Sequence, residues 1–228
     1  MILELGLALE RLGETEESQK HIQKIQHLEQ EDHKTAMKWH TLAEQGFADA
    51  QFNLGLMYAN GRGVPQDYET AVKWYTLAAE QEYADAQYVL GYMYHKGQGV
   101  PQDYKKAVDW STLAAEQGNA DAQFYLGQMY RKGGDVAQNH KTALKWFTLA
   151  AEQGNAGAQF NLGLMYHKGD GVLQDDVYAH MWGHIAAVNG NENGSELRDG
   201  VAKRMTASQI EKAQELAREF IRKEYKGC

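Results

Sequence analysis

A chain of 228 residues with a formal net charge of −8 and a pI near 5.6 lacks the basic face that neutralises nucleic-acid phosphates. Apolar residues make up 43% and charged residues 24%, a balance that excludes intrinsic disorder. The single cysteine, Cys228, excludes an internal disulfide.

The first residues, Met1-Ile2-Leu3-Glu4-Leu5-Gly6-Leu7, lack the basic n-region of an export signal and carry an early Glu. No stretch approaches the ~18 apolar residues of a membrane span. The sequence therefore reads as cytoplasmic, or as periplasmic or secreted if an export signal preceded this numbering. Residues 1–31, rich in Glu, Gln and Leu, read as an N-terminal helical cap. Residues 32–47 read as the second helix of a partial repeat, carried by Ala36-Met37-Lys38-Trp39-His40-Thr41-Leu42-Ala43, with one alanine of the later pairs missing.

From Ala48 onward the chain repeats itself. Ala48-Asp49-Ala50-Gln51-Phe52 returns as Ala84-Asp85-Ala86-Gln87-Tyr88, unchanged at Ala120, and as Ala156-Gly157-Ala158-Gln159-Phe160. The starts are 36 residues apart without insertion, giving units 48–83, 84–119, 120–155 and 156–191. A fixed period of this length predicts a solenoid, in which each unit buries its apolar face only against its neighbours.

In the first unit the spacing predicts a helix over 48–60, stopped by Gly61 and Gly63 and kept from resuming by Pro65. Asp67 is placed to cap a second helix through Ala71, Val72, Trp74, Tyr75, Ala78 and Ala79. A short loop between them makes the pair antiparallel. Gly55, Gly91, Gly127 and Gly163 each cost about 1 kcal/mol relative to Ala inside a helix. Their recurrence predicts a close approach of two backbones. Trp74, Trp110, Trp146 and Trp182, with the Met57/Met93/Met129/Met165 row, read as core that fills the space between units.

The run A-x-A-Q-[FY]-x-L-G-x-M-Y-x-x-G-x-G-V, followed by A-x-x-W-x-T-L-A-A-E-Q, resembles the Sel-one-like repeat (SLR), a relative of the tetratricopeptide repeat. The resemblance covers 48–191 and implies an all-α, right-handed superhelical solenoid of antiparallel helix pairs acting as an adaptor in protein complexes. A cysteine-rich bacterial subset is associated with β-lactam binding, and this chain lacks those cysteines. Residues 192–228 read as C-terminal capping helices. Met205 to Tyr225 closes the array, with Thr206 and Gln209 at capping-box spacing and an apolar stripe of Ile210, Ala213, Leu216, Ala217 and Phe220.

Catalytic constellations are not evident: the sequence has no G-x-S-x-G, S-x-x-K, H-E-x-x-H or Walker loop, so no enzyme activity and no cofactor is expected. Two rival readings are a β-lactam-like small-molecule binder or hydrolase, and a metal-dependent activity. His180 and His184 have metal-ligand spacing on one helix, with His167 the distant third candidate. Only two have usable spacing, so no metal site is expected.

The better site argument lies in what does not repeat. In the first helix of each unit, offsets 2, 6, 9 and 13 share one narrow stripe by helical periodicity. They vary while the core offsets stay fixed. The stripe offers Tyr92 and Tyr125 as anchors, Asn53, Gln128 and Asn161 as hydrogen-bonding amides, and Lys96, Lys132 and Lys168 as a cationic row. In tetratricopeptide-like solenoids the first helices line a concave groove. The expected function is therefore a scaffold holding a protein or peptide segment there, with no nucleic-acid partner and no membrane insertion. The alternative is a solvated face that varies because nothing constrains it.

Overall fold

The computed structural model describes residues 16–134 and 136–223. The first part of the expected N-terminal cap, Tyr225 of the expected closing helix, and Cys228 lie outside the described residues. Among the described residues there are eleven α-helices and no strand. They are α1 (Glu16–Glu44), α2 (Ala48–Asn60), α3 (Tyr68–Glu80), α4 (Ala84–Lys96), α5 (Tyr104–Glu116), α6 (Ala120–Lys132), α7 (His140–Glu152), α8 (Ala156–Lys168), α9 (Asp176–Val188), α10 (Gly194–Ala202) and α11 (Ala207–Arg222). The fold is an all-α solenoid built from the four antiparallel pairs α2/α3 to α8/α9.

The chain divides into two compact units, residues 1–83 with 98–100, and residues 84–97 with 101–228. In the first, α1 runs unbroken through the expected boundary at residue 31. No Gly or Pro stands between Glu16 and Glu44 to stop it. Ala43, Ala50 and Leu54 form a small core, against which Trp39, Leu42, Tyr58 and Trp74 pack. Trp74 thus fills the gap between its own first helix and the helix before it. The turn after α2 docks on α1: Gly63 has φ +72, and a Cβ there would collide with the Asp32 carbonyl. Beside it, Arg62 Nε donates to Asp32 Oδ1 at 2.8 Å.

Side-chain caps start the second helices, as expected of Asp67, which accepts from the N–H groups of Glu69 and Thr70. Asp103, Asn139 and Asp175 do the same for α5, α7 and α9. In the second unit, Asn119 and Asn155 also cap the first helices α6 and α8.

The interior glycines sit at close contacts with the second helix of the same repeat. A Cβ on Gly55 would meet the Tyr75 ring at 2.6 Å, and one on Gly127 the Phe147 ring at 2.6 Å. In the second repeat the facing residue is Ser111, and a Cβ on Gly91 would strike its hydroxyl and lie 2.9 Å from the Ala107 carbonyl oxygen.

Three of the repeats are also tied to the preceding helix by a buried amide ladder. Gln153 Nε2 donates to Gln123 Oε1 at 2.8 Å, and Gln123 Nε2 donates to the Ala115 carbonyl of the preceding repeat at 3.0 Å. Asn189, Gln159 and Ala151 repeat the arrangement at 2.8 and 3.0 Å. Gln81, Gln51 and Ala43 do so in the first unit at 2.7 and 3.2 Å. The inner glutamines are buried, and pairing both ends of the amide removes the penalty of placing it there.

At the far end, Gly183 and Gly194 let α9 and α10 cross closely: a Cβ on Gly194 would lie 2.5 Å from the Ala187 nitrogen. The expected capping box is present, with Thr206 and Gln209 each bonded to the other's backbone. Ala213, Ala217 and Phe220 of α11 face inward, and Phe220 meets Trp182 edge-on at 4.9 Å. The residues on the opposite face of α11 are polar and exposed.

Candidate functional site

Helices α4 and α6 place Tyr92 and Tyr125 beside one another, with ring centroids 6.4 Å apart in an edge-on arrangement. Tyr88 joins Tyr125 at 6.3 Å and His95 joins it at 5.7 Å. Tyr104, at the start of α5, closes on His95 at 5.5 Å. Such edge-to-face pairs contribute beyond simple burial. Tyr92 is 41% exposed, whereas Tyr125 is half-buried as the floor of the cluster. Burial, with Asp121 and Tyr92 adding to it, pushes the Tyr88 phenol above its usual value, so it stays neutral. Lys96 Nζ stands 5.6 Å from the centroid of the Tyr92 ring, joining the cationic row to the aromatic surface.

Gln128, Lys132 and Lys168 are exposed. The two asparagines depart from the expected solvent-facing stripe. Asn161 is only 8% exposed and its Nδ2 donates to the Gly157 carbonyl at 2.7 Å. Gly157 replaces the aspartate of the other repeats, and Phe124 sits where its side chain would lie, so this part of α8 is covered. Asn53, in the other unit, is half-buried and donates to the Asp49 carbonyl at 2.7 Å. Both amides spend an N–H on their own helix.

The three histidines do not converge. His180 is 3% exposed, and burial, then Arg198 and His184, hold it below the ordinary histidine range. Burial and Arg198 lower His184 likewise. His167 instead accepts from Arg204 Nη2 at 2.8 Å, and the same Nη2 donates to Asp176 Oδ1 at 2.6 Å. Among the described residues no group of three or more His, Cys, Asp or Glu is placed to hold a metal ion. Nor is any helix among them long and apolar enough to cross a membrane.

Tyr88, His95 and Tyr104 escaped the sequence reading because they lie off the four stripe offsets. A signal was present: His95 stands where the first repeat has Ala59.

Antiparallel helix pairs of constant length, tied by a recurring amide ladder, define an α-solenoid of the tetratricopeptide-like class. The Sel1 repeat family model matches residues 48–83, 84–119, 120–155 and 156–191, and the chain belongs to that family. It is similar to the crystal structure of a Sel1 repeat protein from Oxalobacter formigenes, at 41% identity over 75% of this chain and 49% of that one, with a TM-score of 0.70. It is also similar to c5321, a protective antigen present in uropathogenic Escherichia coli strains displaying an SLR fold. That match has 32% identity over 83% of this chain and 49% of that one, with a TM-score of 0.53. The chain spans about half the length of both. Comparison with curated proteins returns no match. Sel1 repeats form a non-catalytic fold and generally serve as protein-interaction scaffolds.

Proposed function

We propose that this chain is a scaffold that holds an extended acidic segment of a partner protein along the first helices α4, α6 and α8. The observation that carries this reading is the aromatic cluster of Tyr92, His95 and Tyr125, set beside Lys96 at offsets that vary between repeats and backed by the core-packed Tyr88. Lys132 and Lys168 extend the positive row at the same repeat offset and are exposed. Exposed aromatics beside fixed cations suit a segment carrying both apolar and acidic residues.

Crosslinking mass spectrometry in the native host identifies the partner, and affinities of variants for it test the surface. Tyr92→Ala should weaken binding by more than ~1 kcal/mol, as loss of an aromatic anchor does. Its circular dichroism spectrum should be unchanged, because Tyr92 is exposed. Tyr125 is half-buried with its hydroxyl enclosed, so Tyr92 carries the aromatic test. Joint replacement of Lys96, Lys132 and Lys168 by Gln should remove most of the salt dependence. Affinity that ignores both changes removes this face from consideration.

A further inference from the structure

Between α8 and α10 lies an open cleft of about 520 Å³. Pockets that bind small ligands span about 300–1,000 Å³, so this one has room for a bulky side chain and the backbone flanking it. Phe160 and Leu164 from α8 and Leu197 and Val201 from α10 line it with apolar surface. Its origin is a difference in length: α10 has 9 residues where α8 has 13, so α8 lacks a full-length neighbour on this side. Leu164 occupies the repeat offset held by Tyr92 and Gln128, so the cleft continues the same stripe.

Gly200 supplies an independent observation. The nearby helical glycines all have close neighbours: a Cβ on Gly163 would lie 2.7 Å from Leu197, and one on Gly183 would lie 3.0 Å from the Arg198 nitrogen. A Cβ on Gly200 would meet nothing within 4 Å, although Gly200 lines the cleft. Glycine inside a helix lowers its stability. No contact within the chain requires one here, and a larger side chain would occupy the cleft.

The polar rim carries His167, Asn193, the Glu196 carboxylate and Arg204, whose Nη2 is held by Asp176 and His167. Asp176 offsets the guanidinium charge. This end therefore offers N–H donors suited to backbone carbonyls more than a net charge suited to a free anion.

We propose that this cleft is the anchor pocket for one bulky apolar side chain, Leu, Phe or Trp, of the acidic segment carried by the first helices. The carbonyls beside that side chain accept hydrogen bonds from Arg204. This inference rests on the scaffold reading above and adds the anchor residue to it.

The test selects a displayed library of random dodecapeptides on the full-length protein. Selected peptides are then measured by fluorescence anisotropy against wild type, Gly200→Phe and Tyr92→Ala. The expected peptides are acidic with one large apolar residue. Gly200→Phe should weaken them at least tenfold without lowering the melting temperature, and Tyr92→Ala should weaken them as well. If Gly200→Phe itself melts lower, Gly200→Met fills the cleft with a more flexible side chain and replaces it. Wild-type affinity for the filled cleft, with loss in Tyr92→Ala, overturns the anchor pocket and leaves the first-helix reading standing. Loss in Gly200→Phe alone overturns the first-helix reading and reduces the cleft to an isolated site, against the proposal. An empty selection, or peptides indifferent to both variants, overturns both.

Discussion

The repeats at 84–119 and 120–155 carry the same motif and close their helix pairs differently. In the later one, the fully buried Phe147 ring lies against Gly127 and joins a core that includes Ala143, Leu162 and Met165. In the earlier one, the equivalent residue is Ser111, and Gly91 approaches the backbone of α5 itself, at Ala107 and Ser111. The invariant glycine thus meets two needs: room for a ring in one repeat and room for a main chain in the other. A repeat motif fixes where two helices must come close, and the facing residue decides what fills the contact.

The largest effect should come from Phe147→Ala. Truncating a fully buried aromatic costs about 3–5 kcal/mol, and the melting temperature of a chain this size falls by about 2–4 °C per kcal/mol. Calorimetry that finds a loss below ~1 kcal/mol would place the ring outside the core and dissolve the contrast with Ser111. Gly91→Leu should follow, because its side chain would be forced against a backbone carbonyl that cannot rotate away. Overpacking of this kind costs about 1–3 kcal/mol. Melting like wild type would mean that α4 and α5 are not in close contact at that point.

The smallest effect has the opposite sign. Ser111 is fully buried and its hydroxyl has no hydrogen-bond partner among the described residues. Ser111→Ala removes that unsatisfied group at little cost in volume and should stabilise by about 1 kcal/mol. Chemical denaturation settles the sign. Destabilisation by that change would reveal a bond to Ser111 and make the two repeats more alike.

Much of the fold was legible because the determinants are local and recur. Helix 48–60, its glycine stop, the Asp67 cap, the Thr206 capping box and the backbone approach at Gly91 all follow from residue type and offset, whereas at Gly55 and Gly127 an aromatic ring stands where a second backbone was expected. The amide ladder was not read, although its glutamine is part of the motif, because its partners lie 30 residues away and in the preceding helix. The candidate surface was half legible. Periodicity assigns residues to a face, and so Tyr92, Tyr125 and the lysines were found. It does not give the spacing between helices of different repeats. For that reason His95 was passed over and Asn161, covered where Gly157 replaces an aspartate, was placed in solvent.

The amide ladder makes the joint between successive repeats directional, with a donor on one side and an acceptor on the other. Subunits joined head to tail in this way form polymers with no intrinsic stop. Here the links are covalently strung together, and the recurring glutamine stops at Gln159: the position 36 residues on is Ser195, which has no amide. Array length in such a chain is consequently a free variable. Excising or duplicating one 36-residue block should leave the glutamine pairs inside the remaining repeats intact.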